Sequence, residues 1–197
     1  MSNHAHTVDH HHDTDSLDVY GFWLYIMTDC VLFGTLFAAF IVLHHPGAYG
    51  PSFKHFIEPG YVLGETFFLL ASNFTFGLSI LSVYKNKVKA AIFCLILTFI
   101  LGLGFVYMEI NEFVHLYQEG YTWHVSGAAS SFFVLVATHG FHVSIGLLWI
   151  SVMVIQLSKF KINSATKKRL TYLGLFWNFL DIVWIFLFTI VYLMGAL

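Results

Sequence analysis

Five long apolar stretches, at residues 22–44, 61–84, 90–113, 127–157 and 172–194, leave this chain little choice of solvent. Each reaches the about 20 residues that a helix needs to cross the hydrocarbon of a bilayer. Backbone in lipid must hydrogen-bond to itself, so a spanning segment is either a helix or part of a closed barrel. Barrel strands are about ten residues long and alternate in polarity; these runs are continuous. Pro46, Pro51 and Pro59 are the only prolines, and all lie in the connection between the first two runs, so no span is broken. The expected fold class is an all-α membrane protein, a bundle of five transmembrane helices.

Composition agrees with a lipid environment. Of 197 residues, 58% are hydrophobic, 19% aromatic and only 10% charged, whereas a soluble domain carries about a quarter charged residues. Nine Lys and Arg against eleven Asp and Glu give a net charge of -2 with no basic patch, which excludes nucleic acid as a partner. The two cysteines, Cys30 and Cys94, sit inside apolar runs with neither zinc nor disulfide spacing. The N-terminus lacks the basic and short apolar regions of a secretory signal peptide.

Orientation follows from the basic residues. With five spans, Lys85, Lys87, Lys89, Lys159, Lys161, Lys167, Lys168 and Arg169 fall on the same side as the N-terminus, and Lys54 alone on the other. Positive charge marks the cytoplasmic side, so the N-terminus is expected inside and the C-terminus outside. Residues 1–20 form a separate polar tail rich in His and Asp, expected to be a disordered cytoplasmic arm, with metal capture by its imidazoles as the alternative. Residues 21–197 form the transmembrane domain.

Ionisable groups in hydrocarbon cost at least about 2.5–3.5 kcal/mol each on insertion scales, so those inside spans mark function or helix contact. They are Asp29, Glu65, Glu109, Glu112, His139, His142 and Asp181. Counting helical rise, Asp29, His139 and Asp181 can share a layer near the midplane, with His142 close by. Glu65, Glu109 and Glu112 lie nearer the outer surface. Asp29, without a sequence neighbour to pair with, can carry protons or fasten two helices. His139 and His142 are expected to bond a carboxylate or carbonyl of a neighbouring helix. Three residues apart on one helix, they cannot ligate opposite faces of one haem.

Glu112-x-x-His115 has the spacing that di-iron bundles use twice, but it occurs once and at a helix end. The residues therefore predict no catalytic, cofactor or metal site in this chain. A small transporter using Asp29, Glu65 and Asp181, or a membrane di-metal enzyme, remain the competing classes. Unbroken helices and the absence of repeats speak against the first, and the solitary Glu-x-x-His against the second.

An ordered series of short stretches carries a resemblance. It comprises Gly-Phe-Trp-Leu-Tyr-Ile-Met-Thr-Asp-Cys at 21–30, Glu-Thr-Phe-Phe-Leu-Leu at 65–70 and Met-Glu-Ile-Asn-Glu-Phe at 108–113. Thr-His-Gly-Phe-His-Val at 138–143, Leu-Phe-Trp-Asn-Phe-Leu-Asp-Ile-Val-Trp at 175–184 and Val-Tyr-Leu-Met-Gly at 191–195 complete it. In this order they resemble subunit III of haem-copper terminal oxidases, most of all the short five-helix form of the bacterial cytochrome o ubiquinol oxidase branch.

The resemblance implies a non-catalytic subunit of a proton-pumping quinol oxidase in a bacterial cytoplasmic membrane. It would support assembly, stability and lipid binding of the catalytic subunit I. That partner, alongside the other oxidase subunits, would hold haem and copper and oxidise ubiquinol; phospholipid would bind this chain. Subunit III of a menaquinol or cytochrome c oxidase is the alternative. Asp29 matches the family's membrane carboxylate, and Asp29 together with Glu65 favours the ubiquinol branch. Asn178 stands where the family usually has His, which removes any proton-carrying role for that position and leaves hydrogen bonding.

Overall fold

The structure is a computed structural model that describes residues 10–43, 59–118, 120, 124, 126–160 and 162–193. Its elements are α1 (His10–Leu43), α2 (Pro59–Tyr84), α3 (Val88–Gln118), α4 (Gly127–Phe160) and α5 (Ser164–Leu187), the last continued by a π-helical segment, Phe188–Leu193. Five of these helices are long and apolar enough to cross a membrane, and among the described residues there is no strand.

The helices extend beyond the apolar runs because apolar counting stops at the first charges, while helical backbone does not. Helix α5 starts at Ser164 rather than near 172. Asn163 caps it, its side chain accepting a bond from the Ser164 N–H at 3.3 Å. Thr166 and Leu170 on the added turns are buried, so the extension packs as well as caps. Helix α3 likewise runs past 113 to Gln118, with Leu116 buried. Helix α1 begins at His10, so its first turns run through part of the segment set apart above as the polar tail. Pro59 opens α2 at the position where a missing N–H costs nothing; Pro46 and Pro51 lie outside the described residues.

The turn between α2 and α3 is built by Asn86. Its φ of 56° is left-handed, a conformation that Asn tolerates better than most residues. That reversal lets Lys87 N–H donate to Ser82 O at 2.9 Å and Asn86 N–H to Val83 O at 3.0 Å, closing the end of α2 in a Schellman arrangement. The short link forces α2 and α3 into the most extensive helix pair of the molecule.

Four helices form a ring: α2 on α3, α3 on α4, α4 on α5, and α5 back on α2. Helix α1 stands outside this ring, resting on α4 and to a lesser extent on α5. The core follows, with Leu69, Phe76, Leu95, Phe105, Phe132, Ile150, Phe176, Trp177 and Trp184 all buried. Outward faces carry large apolar side chains such as Phe67, Phe93, Phe141 and Leu148, as lipid-facing surfaces do. Hydroxyls in the spans are satisfied locally: Thr28 donates to Tyr25 O at 2.7 Å and Ser144 to Gly140 O at 2.8 Å.

Trp177 joins all four ring helices. A Cβ on Gly146 of α4 would come within 2.8 Å of its ring, and one on Gly102 of α3 within 3.2 Å. Both glycines are therefore needed for the indole to lie between these helices. Its Nε1–H then donates to Ser72 Oγ of α2 at 3.2 Å, so the buried polar edge of the ring is satisfied.

Candidate functional site

The polar residues of the spans gather at three helix junctions and one isolated imidazole. The first junction ties α1 to the ring. Asp29, buried to 7% exposure, places Oδ1 3.7 Å from Nε2 of His142, while His142 Nδ1 meets the Thr138 carbonyl oxygen at 2.7 Å. Asp29 Oδ2 has no hydrogen-bond partner, and the Tyr25 hydroxyl adjoins the carboxyl. The Thr138 bond fixes the ring and leaves Nε2 aimed at α1.

The second junction ties α2 to α5. Asn73 Nδ2 donates to Asp181 Oδ2 at 3.0 Å, and one turn away on each side the indoles of Trp177 and Trp184 donate to Ser72 and to Thr66 Oγ1, the latter at 3.1 Å. Asn178 sits on the exposed face of α5, in an open groove of about 530 Å³ shared with Asn73, Phe67, Leu70 and Phe74. Asn178 is thus exposed, while the Asn73 amide is part-buried and turned to Asp181.

The third junction lies among α2, α3 and α4. Glu65 is wholly buried and Glu109 is 3% exposed. Neither oxygen of Glu65, nor Oε1 of Glu109, has a hydrogen-bond partner. The Glu109 carboxyl fills the notch of Gly140, where a Cβ would meet its oxygens at 2.5 and 2.6 Å. Glu112, one turn further along α3, is half-buried and within electrostatic reach of both. Tyr61 of α2 closes this side by donating to the Met108 carbonyl at 3.1 Å.

His139 belongs to none of these. Completely buried, it is enclosed by Phe33, Phe105 and Trp184 at ring-centroid distances of 6.3, 5.9 and 5.3 Å. Neither ring nitrogen has a hydrogen-bond partner.

Asp29, His139 and Asp181, which depth along the helices allows to share a layer, make separate contacts. Asp29 meets His142, Asp181 meets Asn73, and His139 is caged by aromatics instead of bonded to a neighbouring helix. Depth along a helix does not fix azimuth: His139 and His142 share Phe33 as a neighbour, but only His142 meets Asp29, while His139 turns to Phe105 and Trp184. Glu65 and Glu109 are buried between helices. Asn73, Ser72, Thr66, Gly140 and Gly146 were missed because an inventory of ionisable side chains passes over amides, hydroxyls and glycines. The signal for the uncharged polar ones was a short run of them, from Thr66 to Thr75, inside an apolar helix.

Among the described residues, no group of three or more His, Cys, Asp or Glu is placed to hold a metal ion. What the arrangement offers is helix fastening and groups that can bind protons. On the outside, an apolar groove of about 750 Å³ runs between α3 and α4, lined by Ile110, Phe113, Val114, Phe133, Val134 and Ala137.

Comparison with known proteins gives the same outline. The family model described as cytochrome c oxidase subunit III matches residues 2–196. The chain is 52% identical over 193 residues to cytochrome bo(3) ubiquinol oxidase subunit 3 of Pseudomonas aeruginosa, covering 98% of this chain and 92% of that one. It is 48% identical over 186 residues to the protein of the same name from Pseudomonas putida, covering 94% and 90%. Quinol oxidase subunit 3 of Bacillus subtilis is 43% identical over 188 residues, covering 95% and 92%.

Proposed function

The chain belongs to the cytochrome c oxidase subunit III family, and from that premise we propose that it is subunit III of a proton-pumping ubiquinol oxidase in a bacterial cytoplasmic membrane. The observation that carries this reading is identity of 52% along nearly the whole length to a ubiquinol oxidase subunit 3. The ubiquinol assignment is supported by the higher identity to the two Pseudomonas chains named for ubiquinol than to the Bacillus chain named only for quinol.

In this role the chain supplies no redox centre; haem and copper belong to the catalytic subunit I, which oxidises quinol and reduces oxygen. Its own work is structural. Four helices pack in a ring, and α1 rests on its outside, with Asp29 facing His142. Supporting a lipid-holding part, the α3–α4 groove is apolar and opens to the hydrocarbon, which suits a phospholipid acyl chain. Asp29 supports a second contribution, to proton supply, because one of its oxygens is unpartnered at mid-membrane depth. The basic connections on the N-terminal side are cytoplasmic.

The test is mild extraction of the tagged chain. Haem should co-purify, with oxygen uptake on added ubiquinol and none on reduced cytochrome c. A colourless chain extracted alone from membranes with intact oxidase activity would refute the reading. In that case flux of a solute into liposomes, or bound iron or manganese, would be the next measurement.

A further inference from the structure

We propose that Glu65 and Glu109 form a buried proton-binding site among α2, α3 and α4, which keeps at least one proton on its carboxyls and exchanges it with the membrane surface through Glu112. Several independent features of the fold lead there. Glu65 is fully enclosed, and both its oxygens lack any partner. A carboxylate without hydrogen bonds costs several kcal/mol at such a position, so something must cancel its charge.

Among the described residues, no side chain hydrogen-bonds either oxygen of Glu65. The ionisable neighbours of Glu65 include two further carboxyls, Glu109 and Glu112 of α3. From α2 the facing titratable group is Tyr61, whose hydroxyl is engaged with the Met108 carbonyl. From α4 the contact is the backbone of Gly140, with His139 turned into its aromatic cage. From α5 it is the Trp184 indole, bonded to Thr66 beside Glu65. No group is placed to hold a metal among the described residues. A proton on the carboxyl is the simplest way to cancel the charge there.

The site is also built. Gly140 provides a notch that any larger residue would fill, and the Glu109 carboxyl occupies it at contact distance. Glycine is thus required of α4 at this level for the carboxyl to reach the interior. Glu112 is one helical turn nearer the end of α3 and only half-buried. A proton delivered by water to Glu112 passes to Glu109 or Glu65, and Glu112 returns to its original charge; the reverse sequence releases it.

Infrared spectroscopy of the full chain in its native membrane complex tests this. The unaltered protein should show a protonated carboxylic carbonyl band that moves in D2O. Glu65→Gln and Glu109→Gln should each diminish that band, and Glu112→Gln should keep it while slowing its shift. Because glutamine mimics a protonated glutamate in shape and charge, Glu65→Gln should accumulate to the unaltered level; failure to do so overturns the site. So does a carbonyl band untouched by both substitutions, or loss of an ionised carboxylate band in their place. The readout is the carboxyl itself, and it stands or falls separately from the oxidase assignment.

Discussion

Among single residues, Trp177 contributes most to the ring, since it touches three helices beyond its own. Gly146→Ala would drive a methyl group into the indole, whose neighbours on every side are packed. Overpacking of this kind costs about 1–3 kcal/mol, so thermal unfolding of the solubilised complex should begin at lower temperature. Gly102→Ala should be milder, because the nearest atom is the end of the Leu147 side chain, which can rotate away. Ser72→Ala leaves the Trp177 N–H buried without a partner, a loss of about 1–3 kcal/mol, while Trp177→Phe removes the donor, leaves the Ser72 hydroxyl bonded to the Leu69 carbonyl oxygen and vacates ring volume. Tryptophan fluorescence during unfolding separates these variants. In sequence, the charged members of the polar junctions stood out because lipid makes charge conspicuous. Ser72, Asn73 and Gly140 did not, since their roles depend on which face of the helix meets which neighbour, and that is set by packing.

For the helices, the informative contrast is between α5, the most buried of the five spans, and α1, whose Trp23, Met27, Val31 and Val42 are exposed. Helix α1 is held to the rest by Asp29 and His142, by the stacked pair Phe22 and Tyr172 at 4.9 Å, and by Phe33 against His142 at 5.3 Å. Removing one partner of a buried polar pair leaves the other uncompensated, whereas removing both restores an apolar contact. His142→Leu should therefore lower the stability of the α1 contact more than Asp29→Leu combined with His142→Leu. A double-substitution cycle on thermal stability of the complex measures this, and additive losses would show that the pair is not coupled. The existence and order of the five helices were legible from apolar run length alone. Their ends were not: α5 begins at Ser164 because Asn163 caps it and Leu170 packs, and neither cause is hydrophobic periodicity.

The ring of α2 to α5 with α1 beside it makes a molecule whose inner contacts are complete on one flank and sparse on the other. That asymmetry suits a subunit docked against a larger membrane partner. The proposed orientation, with the basic connections inside, is tested by a cysteine placed at Asn86 in a background lacking Cys30 and Cys94, which should react with an impermeant reagent only from the cytoplasmic side. The central claim is that this chain supports quinol oxidation without performing it. The most direct measurement compares purified oxidase with and without the chain, following haem content and oxygen uptake on ubiquinol over successive turnovers. The account predicts undiminished haem and initial rate, with activity fading sooner when the chain is absent. Loss of initial quinol oxidation while haem is fully retained would contradict it, and would place part of the catalytic machinery in this chain.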